Sequence, residues 1–201
     1  PSALRISDGR VDTSLRRKSV IMTDRRAVAF YSEIDPFAAA WSRELIKDGA
    51  ITEGVVDERS IADLRAEDLA GFDRVHLFAG IGGWDYALQL AVFDPTRPVW
   101  TGSCPCQPFS VAGKGRGIAD ERHLWPEMRR LIEERRPELI IGEQVASAAG
   151  REWLAGIQID LEALGYVFGA ADLCAAGIGA PHIRQRLFWG AQSEHAERGP
   201  V

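Results

Sequence analysis

Short apolar runs of strand length alternate with segments of helical periodicity from residue 27 onward, and each run ends in glycine or in a polar side chain. That alternation restricts the chain to a mainly parallel sheet with helices on both faces, because parallel neighbours need a long crossover and the returning helix covers the sheet. Residues 27–31 read as a short buried strand. Asp35 then caps a helix that has Pro36 at its first position, where a missing N–H costs nothing. In that helix Phe37, Trp41 and Leu45 share one face, and Gly49 stops it. Further strands are expected around Val55 and Val56 and over 75–79, 98–102, 139–142 and 186–190. Helices are expected after the turn at Gly80, carrying Tyr86, Ala87 and Leu88, and over 124–135 and 152–164. The last of these places Leu154, Ile157, Leu161 and Leu164 on a buried face.

At 201 residues, 46% of them hydrophobic and 26% charged, the chain suits one globular domain, placed at 27–191 between a flexible tail over 1–26 and a polar tail over 192–201. The apolar runs are too short to span a bilayer and no signal-peptide core opens the chain, so a cytoplasmic protein is expected. Three cysteines, two of them one residue apart, cannot build a disulfide framework and are expected to be free thiols. With a net charge of -5, any grip on nucleic acid must be local. Lys114, Arg116 and Arg122, then Arg129 and Arg130, and further on Arg184 and Arg186, are either that grip or a solvated surface.

Ligands of open parallel sheets sit beyond the carboxyl ends of the strands. Four of the expected strand ends carry unusual chemistry: Glu33 with Asp35, the glycines Gly80, Gly82 and Gly83, the stretch from Cys104 through Gln107, and Glu143 with Gln144. That convergence points to an enzyme, although turn chemistry alone produces some such ends. The glycine turn lets backbone approach a nucleotide-like cofactor closely, but it lacks the G-x-G-x-x-G spacing of a pyrophosphate-binding turn. Cys106 stands between Pro105 and Gln107 at a strand end that opens a Pro- and Gly-rich stretch, 104–117, read as a long mobile loop. This is where a nucleophile belongs. The alternative is that Cys104 and Cys106 are small buried hydrophobes. No metal is expected, because Cys104, Cys106, Cys174 and the scattered histidines show no four-ligand spacing.

Four strings together resemble the DNA cytosine C5-methyltransferase family over about residues 27–191. They are Phe78-Ala79-Gly80-Ile81-Gly82-Gly83, Pro105-Cys106-Gln107-Pro108-Phe109-Ser110, Glu143-Gln144-Val145 and Pro181-His182-Ile183-Arg184-Gln185-Arg186. Gln144 stands where the family usually has Asn, and His182 where it usually has Gln. Ser32-Glu33-Ile34-Asp35-Pro36-Phe37-Ala38 and Asp57-Glu58-Arg59-Ser60-Ile61 resemble its second and third cofactor motifs, yet both precede the glycine turn. The order would then be second, third, first, fourth, with the sheet keeping its arrangement in space; Glu33 and the Gly80 turn must lie on adjacent strands if that is so.

The resemblance implies a Rossmann-like, S-adenosylmethionine-dependent methyltransferase fold and a covalent mechanism on cytosine in DNA. Cys106 would add to C6 of the base, Glu143 would hold its N3 and N4 edge, Arg186 would hold O2, and Arg184 would favour the thiolate. Glu33 would bind the ribose of S-adenosylmethionine, Ile34 pack on the adenine and Asp57 accept from its amine, while Phe78, Gly80 and Gly82 line the methionine side. Pro105, Gln107 and Ser110 flank the nucleophile as substrate contacts, and a lid over 110–118 would bring Lys114 and Arg116 to phosphate. The partner is DNA, either duplex with an extruded cytosine or single-stranded. The family's target-recognition region and closing motifs have no counterpart in these residues, so weak sequence selectivity, or a second segment or protein, is expected. An inactive or split cofactor-binding module, and action on RNA or a free cytosine nucleotide, remain open alternatives.

Overall fold

The computed structural model describes residues 27–105 and 124–194. In chain order these form β1 (Ala29–Ser32), α1 (Pro36–Lys47), β2 (Gly54–Asp57), β3 (Arg74–Leu77), α2 (Gly83–Leu90) and β4 (Val99–Gly102). There follow α3 (Trp125–Arg135), β5 (Leu139–Val145), α4 (Ala148–Ala163), β6 (Tyr166–Cys174) and β7 (Gln185–Ser193), with short 3-10 turns at Ile61–Asp63, Ala66–Leu69 and Ala175–Ile178. One sheet runs β2-β1-β3-β4-β5-β7-β6. Its first five strands are parallel, and β7 lies antiparallel to both β5 and β6. The expected Rossmann-like α/β arrangement is present.

Alternation within the strands assigns the faces. Phe30 belongs to the large core under α3 and α4, with Trp100, Ile140, Leu187 and Trp189, whereas its neighbour Tyr31 faces the other way, with Ala29, Ile51 and Ala79. Gly142 permits the tight side of the large core: a Cβ there would stand 2.2 Å from Trp189 Cζ2 and 2.6 Å from the Gly102 carbonyl oxygen.

Coverage departs from the expectation in one respect. Among the described residues the Tyr31 face carries α1 and α2 over the β1–β4 half only. Across β5, β7 and β6 the same face presents Val167, Leu173 and Phe188, all exposed.

Asp35 caps α1 as expected, its Oδ1 accepting from the N–H groups of Phe37 and Ala38 at 2.9 Å each. Of the face named by periodicity Leu45 packs against the core, but Phe37 is 76% and Trp41 48% exposed, and the buried positions of the helix are Ala39 and Ser42. Small residues let α1 lie close to the glycine turn, where Ser42 Oγ donates to the Gly80 carbonyl at 3.2 Å. β5 runs three residues past its expected end, α4 starts earlier at the Ser147 cap, and β6 has no counterpart among the expected strands.

Candidate active site

The carboxyl ends of β1 and β3 meet as the permuted motif order requires. Tyr31 pairs with His76 in parallel register, the Ala79 N–H reaches the Ser32 carbonyl at 2.9 Å, and the Gly80 N–H donates to Glu33 Oε2 at 2.6 Å. Glu33 Oε1 accepts from the Asp35 N–H at 2.8 Å, so this carboxylate clamps the start of α1 to the glycine turn. Gly80 and Gly82 have φ of 56° and 75°, and Phe78 takes the same left-handed region at 56°. For a side chain with a Cβ that conformation costs roughly 1–3 kcal/mol, a strain typical of ligand sites. A Cβ added at Gly80 would meet nothing within 4 Å, which leaves open space before the turn. Ile34 is 64% exposed beside it.

At the end of β2, Asp57 is engaged by Arg59 through Nε at 3.0 and 3.1 Å and Nη2 at 2.7 Å, with the Arg59 N–H at 2.9 Å. Those bonds hold its carboxyl below the ordinary range.

Behind the turn lies a buried polar network that periodicity does not reveal. Asp85, in the first turn of α2, points inward. Its Oδ2 accepts from the Thr52 N–H at 2.6 Å and Gln89 Nε2 at 2.8 Å, and its Oδ1 lies 2.7 Å from Arg74 Nη1 and 3.3 Å from His76 Nε2. His76 Nδ1 is 2.8 Å from Thr101 Oγ1, and the Tyr31 ring stacks on the imidazole at 5.0 Å. Burial alone would push the Asp85 carboxyl up, but the bonds from His76, Arg74 and Thr52 together hold it below the usual carboxylate range. Burial holds His76 below its ordinary value, against the opposing pull of Asp85. The network ties α2, and with it the glycine turn, to β3 and β4.

A cavity of about 630 Å³ joins this turn to the far half of the sheet. Phe78 and Trp84 line it from the turn and α2; Glu143, Arg184, Arg186 and Phe188 line it from β5 and the β7 side. Glu143 pairs across strands with Phe188, and its carboxylate forms an ion pair with Arg186 Nε. Trp84, anchored by its Nε1–H to Ser103 Oγ at 3.0 Å, Phe188 and Cys174 are wall residues that no sequence string marked.

The structure thus brings Phe78, Glu143, Arg184 and Arg186 to one space, with Gly80 in the same turn as Phe78, Glu33 and Ile34 at the neighbouring strand end and Asp57 one strand further out. Cys104 is core: it packs against Met128 with the sulfurs 3.8 Å apart, and burial pushes its thiol far up. Pro105 is exposed. Cys106, Gln107, Ser110, Lys114 and Arg116 lie outside the described residues. Among the described residues no helix is long and apolar enough to cross a membrane.

A family model described as C-5 cytosine-specific DNA methylase matches residues 98–198. Type II methyltransferase M.AluI of Cellulosimicrobium cellulans is 31% identical over 182 residues, which are 81% of this chain and 34% of that protein. Type II methyltransferase M.NgoMIV of Neisseria gonorrhoeae is 37% identical over 160 residues, 78% of this chain and 42% of the relative. Type II methyltransferase M.HhaI of Haemophilus parahaemolyticus is 25% identical over 165 residues, 63% and 50% of the two chains. The chain therefore spans half or less of the length of these relatives. The crystal structure of a Spodoptera frugiperda DNMT2 mutant aligns with TM-score 0.55 at 17% identity, covering 84% of this chain and 43% of that one. The Entamoeba histolytica methyltransferase EhMeth aligns with TM-score 0.51 at 15% identity, covering 88% and 56%. At such identities the two structures speak for the fold.

Proposed function

The chain belongs to the C-5 cytosine-specific DNA methylase family, and from that premise we propose that it carries the chemistry of methyl transfer from S-adenosylmethionine to C5 of cytosine in DNA. The observation that carries the reading is the common cavity, in which Phe78 at the glycine turn and Glu143 with its arginines share one space.

The residues present fit the cofactor. Open space before Gly80 admits a ligand against the backbone, and Glu33 keeps acceptor capacity for ribose hydroxyls beyond its two backbone bonds. Ile34 offers an apolar surface to the adenine; Asp57 would exchange one Arg59 contact to accept from the adenine amine. When bound, S-adenosylmethionine supplies an electrophilic methyl group.

Cytosine C5 is a weak nucleophile until C6 is attacked. The thiol of Cys106 gives up its proton and the thiolate forms a bond to C6; Arg184 favours the anion. Electron density moves onto the ring edge, where Glu143 holds the N3 and N4 positions and Arg186 holds O2. The Glu143–Arg186 pair keeps both groups in register before the base arrives. After C5 has gained the methyl group its proton leaves, the C6–S bond breaks, and Cys106 departs with the bonding electrons. In duplex DNA the base must first be extruded, at a cost of a few kcal/mol. Pro105, Gln107 and Ser110 would contact the base, Lys114 and Arg116 the phosphates.

We further propose that target recognition comes from a second segment or protein and that residues 27–191 by themselves are weakly selective. We place the reaction in the cytoplasm of a bacterial or phage-infected cell. Radiolabelled methyl transfer to duplex DNA, single-stranded DNA, RNA and dCMP tests the reading, with Cys106→Ala as control. Incorporation into DNA that vanishes in the variant supports it. Preference for RNA or dCMP, or a Cys106→Ala protein as active as the parent, overturns it.

A further inference from the structure

Trp84 and Phe188 meet edge to face, with ring centroids 6.1 Å apart and planes at 82°, at the junction between the glycine turn and the Glu143 wall. Trp84 is not free to swing: its Nε1–H bond to Ser103 fixes the indole against the end of β4. Phe188 is held directly opposite Glu143 in the β5–β7 register, on the same sheet face. The acidic group that could have neutralised a ligand cation is already taken, since Glu143 is paired with Arg186. Arg184 lines the same cavity and repels a cation from its own end. Among the described residues that line the cavity, the aromatic corner, with Phe78 at the turn beside it, offers positive charge a π surface, whose quadrupole attracts cations.

We infer that Trp84 and Phe188 form a sulfonium-recognising corner, which favours the positively charged methyl donor over its neutral demethylated product. The inference rests on the proposed methyltransferase reading and adds the group that senses the charge lost in the reaction. Donor and product differ by one methyl group and one unit of charge. A corner that only supplied apolar packing would hold both alike when replaced by an aliphatic side chain of useful size, whereas a π surface would not.

Titration calorimetry of the chain with S-adenosylmethionine and with S-adenosylhomocysteine reads the difference, with circular dichroism to confirm folding. In Trp84→Leu, and separately in Phe188→Leu, the affinity ratio of donor to product is expected to fall by roughly threefold to thirtyfold, the span of a cation–π contact. Trp84→Phe, which keeps a π face, should retain most of the ratio. Equal weakening of both ligands in the leucine variants, or no weakening, overturns the inference and leaves the methyltransferase reading intact. If the unaltered chain binds neither ligand, the cofactor assignment itself fails. Phe188→Leu carries the test should Trp84→Leu not fold, because Phe188 is partly exposed.

Discussion

Asp85 is the residue on which the cofactor half of the molecule depends most. It is fully buried, it neutralises Arg74, and it bonds to the backbone of the segment entering β2. Asp85→Ala would leave the Arg74 guanidinium buried without its carboxylate and is expected to cost about 3–5 kcal/mol in urea unfolding, with Asp85→Asn milder. His76 in the same network sets a pH dependence of stability. Its folded pKa lies below the unfolded value, so as pH drops below about 6.5 the unfolded chain takes up a proton that the folded chain refuses. The contribution is intact above that pH and is lost as pH falls toward the depressed folded value. Urea midpoints measured between about pH 7 and 5.5 should decline, and less steeply in His76→Gln. None of this is legible in the sequence. A lone Asp in the first turn of a helix reads as a surface carboxylate favoured by the helix dipole, and only packing reveals that it points inward.

Among the elements, α1 shows what pattern can and cannot tell. Its cap and its first proline are local chemistry and could be read directly; removing the cap in Asp35→Ala should lower stability by about 1 kcal/mol in thermal or urea unfolding. Which face packs is a tertiary matter, and here the small Ala39 and Ser42 are buried while Phe37 and Trp41 face outward. β6 is hidden in the sequence for a different reason. It is an edge strand, exposed through its middle, and its Gly169-Ala170-Ala171 centre lacks both the β-branched residues and the alternation by which strands are recognised. The strings at Gly80, Glu143 and Arg184 were legible because each sits at a strand end where side-chain identity, not burial, is specified. Trp84 and Phe188 were not, because a single aromatic in a helix or strand looks like core.

At the scale of the whole molecule the two faces of the β5–β7–β6 half are unequal. Ile157 of α4 is almost fully buried against one face, while Val167 on the other is 62% exposed. Ile157→Ala should cost about 2–5 kcal/mol, and Val167→Thr should stay within about 0.5 kcal/mol of the parent, both by urea unfolding. Comparable losses at the two positions would contradict the described coverage.

The clamp between Glu33 and Gly80 spans 47 residues of sequence, with the carboxylate made first. On the ribosome, β1, α1 and β2 leave the exit tunnel before β3 does. This vectorial order leaves the growing polypeptide with a two-stranded fragment whose inner edge is bare until β3 arrives to fill it. A pause in synthesis while β3 is still inside the tunnel would prolong that interval, and it is then that a nascent chain of this design is most open to mispairing.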